Sequence, residues 1–87
     1  MDQDELVEIM AKARDAGSTR LDLSGKGLTE LPAEIGNLTC LTELNLRNNQ
    51  LKGVLPPELG NLTSLTMLDL SINLQASLPP EMLELRN

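Results

Sequence analysis

Three copies of one leucine pattern follow each other along the chain, and this repetition limits the possible folds more than any other feature. The copies span residues 18–40, 41–64 and 65–87, and are named the first, second and third repeat. Each contains Leu-x-Leu, at Leu21 and Leu23, Leu44 and Leu46, and Leu68 and Leu70. This alternation predicts a short strand with one buried face. Because a single copy cannot bury its own leucines, the copies must stack, and their strands are predicted to be parallel.

The second half of each repeat begins with Leu-Pro-x-Glu, at residues 31–34, 55–58 and 78–81, and reaches a further leucine at Leu38, Leu62 and Leu85. Proline fixes φ and has no backbone donor, so these segments are predicted to be irregular or 3₁₀ in conformation. Each repeat is therefore predicted to be one strand followed by a return segment.

The second repeat matches the pattern L-x-x-L-x-L-x-x-N-x-L at Leu41, Leu44, Leu46, Asn49 and Leu51. In this the chain resembles leucine-rich repeat proteins over residues 18–87. The resemblance implies an α/β fold, a right-handed β-α solenoid with a short parallel sheet on its concave face. The second repeat resembles the 24-residue plant type, and the first resembles the 23-residue type of intracellular signalling proteins. The paired cysteines of plant receptor caps are lacking, which favours the intracellular type.

Two repeats depart from the pattern. The first has Ser18 in place of the opening leucine and Lys26 in place of the asparagine, as suits a terminal unit. The third keeps Asn73 but has Gln75 where leucine is expected and Leu74 one position early. An altered turn is therefore predicted in the third repeat.

The two ends of the stack differ. Residues 2–16 place Leu6, Ile9, Met10 and Ala13 on one face of a helix, so they are predicted to form an N-terminal capping helix on the first repeat. No such helix is predicted at the other end. We expect the chain to be a fragment of a longer solenoid, or to form a homodimer through that end. The residues assigned to self-association are Leu68, Leu70, Leu78, Met82 and Leu85.

Composition excludes several classes of function. The net charge of −6 argues against nucleic acid, which needs a basic surface. The chain has no run of about 20 apolar residues that could span a membrane. A single cysteine, Cys40, and no signal segment favour a cytoplasmic location. The 87 residues suffice for one small domain with an aliphatic core, since Phe, Tyr and Trp are absent.

Catalysis is not predicted. The chain has no histidine, the commonest general acid or base, and Cys40 has no imidazole to activate it. Glu34, Glu58 and Glu81 share one repeat position and are interpreted as a solvated acidic edge rather than a metal site. We therefore expect no cofactor and no enzyme activity.

The outward strand positions predict a surface for another protein or a peptide. They are Arg20, Asp22, Glu43, Asn45, Arg47, Met67, Asp69 and Ser71. Arg47, Met67 and Ile72 are predicted to anchor the partner, because arginine and soft apolar groups gain most on desolvation. Two hypotheses follow: a non-enzymatic module that binds a protein or peptide on its concave face, or a structural unit that assembles through its C-terminal end.

Overall fold

A computed structural model describes residues 1–77. Helix α1 (Gln3–Asp15) is followed by strands β1 (Arg20–Asp22), β2 (Glu43–Asn45), β3 (Lys52–Val54), β4 (Met67–Asp69) and β5 (Gln75–Ser77). Two 3₁₀ helices, Ala33–Asn37 and Pro57–Asn61, begin directly after Pro32 and Pro56. The predicted N-terminal helix and short parallel strands are present, as are the predicted 3₁₀ segments of the first two repeats. The corresponding segment of the third repeat, residues 78–81, lies outside the described residues.

The strands form two parallel sheets. The first has the order β1-β2-β4, with Leu21, Leu44 and Leu68 in register, and takes one strand from each repeat. The second pairs β3 with β5 on the return path of the chain. The sequence predicted the first sheet and did not predict the second.

Helix α1 covers the first repeat. Its N-cap is Asp2, whose carboxylate accepts a hydrogen bond from the Glu5 N–H at 2.8 Å. Leu6 and Met10 are buried, and the helix contacts the first 3₁₀ helix. The helix ends before Gly17, whose φ of +63° is a left-handed conformation that glycine adopts without strain.

The core is aliphatic and consists mostly of leucine. Leu44 and Leu46 of β2 and its flank are 0% exposed, as expected for the repeat with neighbours on both sides. Leu68 and Leu70, assigned to self-association at the end of the stack, are half-buried and pack against this core. Leu78, Met82 and Leu85, like Glu81, lie outside the described residues.

The third repeat is one residue shorter than the second along the return path. Strand β4 pairs with β2 at an offset of 24 residues (Glu43 with Met67), but β5 pairs with β3 at an offset of 23 (Lys52 with Gln75). Leu74 donates its N–H to a carbonyl of the second repeat, at the place where Gln50 bonds to the first. The Leu74 side chain is 61% exposed, so it does not replace the buried Leu51.

Candidate functional site

The outer face of the β1-β2-β4 sheet, the predicted concave face, carries two rows of side chains. Parallel register aligns Arg20, Glu43 and Met67 in one row, and Asp22, Asn45 and Asp69 in the other. Adjacent strands lie about 4.8 Å apart, so each row is a compact line on a hydrogen-bonded backbone. A shallow depression of about 190 Å³ runs between the rows. The structure therefore brings together six of the residues that the sequence placed on this face.

The first row combines an ion pair with an apolar side chain. Arg20 Nε lies 2.5 Å from Glu43 Oε2, and the Arg20 side chain is 79% exposed. Such an exposed pair contributes little to folding, about 0 to 1 kcal/mol. Met67, beside Glu43, is 39% exposed. The row thus offers an arginine, a carboxylate and a flexible thioether to a partner.

The second row presents carboxylates of fixed orientation. Asp22 Oδ1 accepts hydrogen bonds from Ser24 Oγ (2.6 Å) and Ser24 N–H (2.9 Å), and Asp69 bonds to Ser71 in the same way. The serine hydroxyl, followed by the serine N–H, holds the pKa of each aspartate below its ordinary value. Both carboxylates are therefore ionised at neutral pH.

The sequence carried a signal for these bonds that was missed. An aspartate followed two residues later by serine is a pattern in which the carboxylate bonds the serine backbone, and Asp22 and Asp69 both precede such a serine. Asn45 uses the same geometry, accepting the Arg47 N–H at 3.0 Å. Asp22 and Ser24 therefore form one hydrogen-bonded unit.

Arg47 and Ser71 extend the surface beyond the strands. Arg47 is exposed, and its Nη1 donates a hydrogen bond to Ser71 Oγ at 3.3 Å across neighbouring repeats. The Arg47 charge also helps to lower the pKa of Asp69. These two predicted site residues therefore lie together at the end of the second row.

The turn that follows this surface has a left-handed residue in each repeat. The φ values are +64° at Gly25, +60° at Asn48 and +55° at Ile72. Glycine and asparagine tolerate this region, but a β-branched residue there is an outlier. Ile72 is also 58% exposed. The chain thus carries a strained and exposed isoleucine at the edge of the predicted surface. The sequence predicted the position of Ile72 on this surface but not its left-handed backbone.

Asn73 fixes the backbone next to Ile72. Its Nδ2 donates to the carbonyls of Leu46 and Leu70, both at 2.9 Å, and its Oδ1 accepts the Leu51 N–H at 3.1 Å. Ile72 and the exposed Leu74 on either side of Asn73 are therefore held by bonds that cross between repeats.

Other kinds of site find little support in the part of the chain that the structure describes. Among residues 1–77, no group of three or more His, Cys, Asp or Glu side chains could hold a metal ion. None of the helices described in residues 1–77 has the length and apolar character that spanning a bilayer requires. Cys40 is exposed and not disulfide-bonded.

Comparison with known proteins agrees with the repeat pattern. A family model described as leucine rich repeat matches residues 19–74. The chain therefore belongs to the leucine-rich repeat family, whose domains are commonly protein-interaction modules and generally not enzymes.

Several curated relatives align with part of the chain. Leucine-rich repeat protein SHOC-2 of Xenopus laevis is 45% identical over 47 residues, which is 54% of this chain and 8% of that protein. The SHOC-2 of Danio rerio is 44% identical over 50 residues, 58% of this chain and 9% of that protein. Leucine-rich repeat protein 1 of Mus musculus is 59% identical over 34 residues, 39% of this chain and 8% of that protein. The chain thus spans less than a tenth of the length of these relatives.

Proposed function

We propose that this chain is a non-enzymatic module that binds a protein or peptide on the outer face of the β1-β2-β4 sheet. The contact surface would comprise the two rows with Arg47 and Ser71. The family supports this proposal, because leucine-rich repeat domains commonly bind proteins. The cytoplasmic location and a role in signalling complexes remain predictions.

The strained backbone and the exposure of Ile72 are the observation that carries the proposal. A side chain with a branched Cβ in the left-handed region costs about 1–2 kcal/mol, and Gly25 and Asn48 hold the same position without that cost. Burial does not offset the strain, because Ile72 is 58% exposed. Strain and apolar exposure at one residue both disfavour the free protein, and contact with a partner would account for both.

Arg47 supplies the polar counterpart. Its guanidinium is exposed, and only one of its five N–H donors takes part in the bond to Ser71. A partner could accept from the remaining donors while its apolar groups cover Ile72 and Met67. Arginine is enriched among residues that dominate binding energy, so we expect Arg47 to be the main polar anchor.

The test compares capture of proteins by the 87-residue chain and by three variants, read out by quantitative mass spectrometry. Arg47→Glu and Ile72→Asn should each reduce capture of the same proteins at least tenfold. Glu34→Gln, an exposed change on the first 3₁₀ helix, should leave capture unchanged. Circular dichroism must show that all variants are folded. Equal capture by the chain and by both surface variants would contradict the proposal.

A second proposal is self-association through the third-repeat end. It is supported by Leu68 and Leu70, which are only half-buried on the last strand of the three-stranded sheet. Light scattering at micromolar concentration should then give the mass of a dimer, and Leu70→Asp should give a folded monomer. A monomeric wild-type chain would refute this second proposal and leave the first intact.

A further inference from the structure

A groove separates the first repeat from strand β3, on the return path and away from the β1-β2-β4 sheet. Its volume is about 300 Å³, and its walls are residues 29–31 on one side and Leu51, Lys52, Val54, Leu55 and Pro56 on the other. This volume is at the lower end of the range for ligand sites in proteins. Leu31, Leu51 and Leu55 are buried core residues, so the deeper lining is apolar.

The groove arises from a difference in length between repeats. Three positions separate Leu28 from Leu31 in the first repeat, whereas four separate Leu51 from Leu55 in the second. The longer segment forms β3, while the first repeat forms no strand at this place. In the described part of the chain β3 therefore pairs only with β5, on its other side.

The backbone of β3 presents hydrogen-bonding groups to the groove. The N–H of Gln50 donates to the Leu28 carbonyl, so Gln50 faces the first repeat. Leu51 faces the opposite way, since its carbonyl accepts the Leu74 N–H. Gly53, whose φ is +75°, pairs with Ala76 of β5. The opposite backbone edge of β3, at Lys52 and Val54, therefore faces the first repeat.

We propose that this edge binds an extended segment of a partner protein, which adds as a strand alongside β3. An open strand edge is a template for such pairing, in which main-chain bonds supply affinity and side-chain pockets supply specificity. Val54 is 69% exposed on this edge and would be covered by the added segment. The site is separate from the surface in the proposed function and does not depend on it.

The charges on the two walls define the segment. Glu30 lies on the first-repeat wall and Lys52 on the β3 wall. A complementary segment has a small aliphatic residue for the groove, a basic residue toward Glu30 and an acidic residue toward Lys52. A central proline is excluded, because it would remove the N–H needed for pairing.

A second copy of the chain is a poor occupant. A three-residue strand is about 10 Å long, and two copies joined along it would bury far less than the roughly 800 Å² per partner of a stable interface. A short peptide needs no such area to occupy the groove, and its binding is expected to be weak.

The test is selection of seven-residue peptides from a random display library on the immobilised 87-residue chain, with counter-selection on Lys52→Glu/Val54→Lys. The recovered peptides should bind the wild-type chain at least tenfold more tightly than this variant. Exchanging their acidic residue for lysine should restore binding to the Lys52→Glu single variant. Arg47→Glu, a change on the other surface, is the matched control and should bind the peptides as well as the wild type.

Amide chemical shifts locate the peptide. Binding should shift the signals of residues 29–31 and 52–54 and leave those of β1 and β4 in place. The proposal is overturned if no recovered peptide discriminates between the chain and the double variant, or if the shifted signals lie on the β1-β2-β4 sheet. It is also overturned if sedimentation shows that the edge is occupied by a second copy.

Discussion

Asn49→Ala tests the contribution of a buried side-chain amide to the stack. Asn49 is 7% exposed, and its side chain makes four bonds of 2.9–3.0 Å. Oδ1 accepts the N–H groups of Lys26 and Leu28 in the first repeat. Nδ2 donates to the carbonyls of Leu23 and Leu46. The alanine variant would leave all four backbone groups without this partner.

The loss can be estimated from burial. A typical hydrogen bond contributes about 1 kcal/mol net, and a buried group left unsatisfied costs about 1–3 kcal/mol. Leu23, Leu28 and Leu46 are each no more than 1% exposed, so water cannot readily replace the amide. We expect Asn49→Ala to lower the free energy of unfolding by about 4 kcal/mol. A domain of this size has only about 4–13 kcal/mol in total.

Asn73→Ala provides the comparison. Its bonds reach Leu51, Leu46 and Leu70, but Asn73 is only half-buried, and water can take up part of the loss. We expect about 1–2 kcal/mol for this variant. Gln50→Ala, an exposed change next to Asn49, should be close to neutral.

The assay is urea denaturation followed by far-UV circular dichroism, since the chain has no tryptophan for fluorescence. A wild-type midpoint for Asn49→Ala, or a larger loss for Asn73→Ala than for Asn49→Ala, would refute the view that this buried amide network holds neighbouring repeats together.

Three further predictions concern packing, backbone strain and pH. Gly36→Ala would place a Cβ 2.9 Å from Glu58 Cβ, so it should lower stability by about 1–3 kcal/mol; an unchanged thermal midpoint would contradict this contact. Ile72→Asn should raise stability by about 1 kcal/mol, because asparagine tolerates the left-handed backbone, and a lower urea midpoint would count against strain at this residue. Asp22 and Asp69 have a lowered pKa in the folded chain, so their stabilisation is present above the unfolded pKa of about 3.9 and is lost as pH falls below it. The double variant with asparagine at both positions should therefore lose less thermal stability on acidification than the wild type, whereas identical pH profiles would argue against these bonds.

The sequence predicted the parts of the fold that depend on periodicity. Alternating leucines placed β1, β2 and β4, and their common position in each repeat predicted the rows of the outer face. The helical spacing of Leu6 and Met10, four residues apart, predicted the buried face of α1. These features follow from local patterns of two or 3.6 residues, which a single sequence displays directly.

Other features depended on backbone geometry between repeats. The sequence marked Leu74 and Gln75 as irregular, but only the backbone bond of Leu74 and the strand register show that the missing residue lies between them. The β3-β5 sheet requires two return segments to come into register, which no local pattern predicts. The left-handed backbone of Ile72 could not be predicted from the sequence either, because the turn imposes a conformation that isoleucine disfavours.

The bonds that asparagine and threonine side chains make between repeats have a direction that bears on how the protein is synthesised. Asn49 of the second repeat completes the turn of the first, and Asn73 of the third bonds the N–H of Leu51 in the second. Thr66 likewise reaches back, donating its hydroxyl proton to the Thr42 carbonyl. A nascent chain leaves the ribosome with its N-terminus first, so each repeat emerges before the asparagine that satisfies it. Synthesis and the formation of these hydrogen bonds thus proceed in the same direction. The second and third repeats each satisfy backbone groups of the repeat synthesised before them.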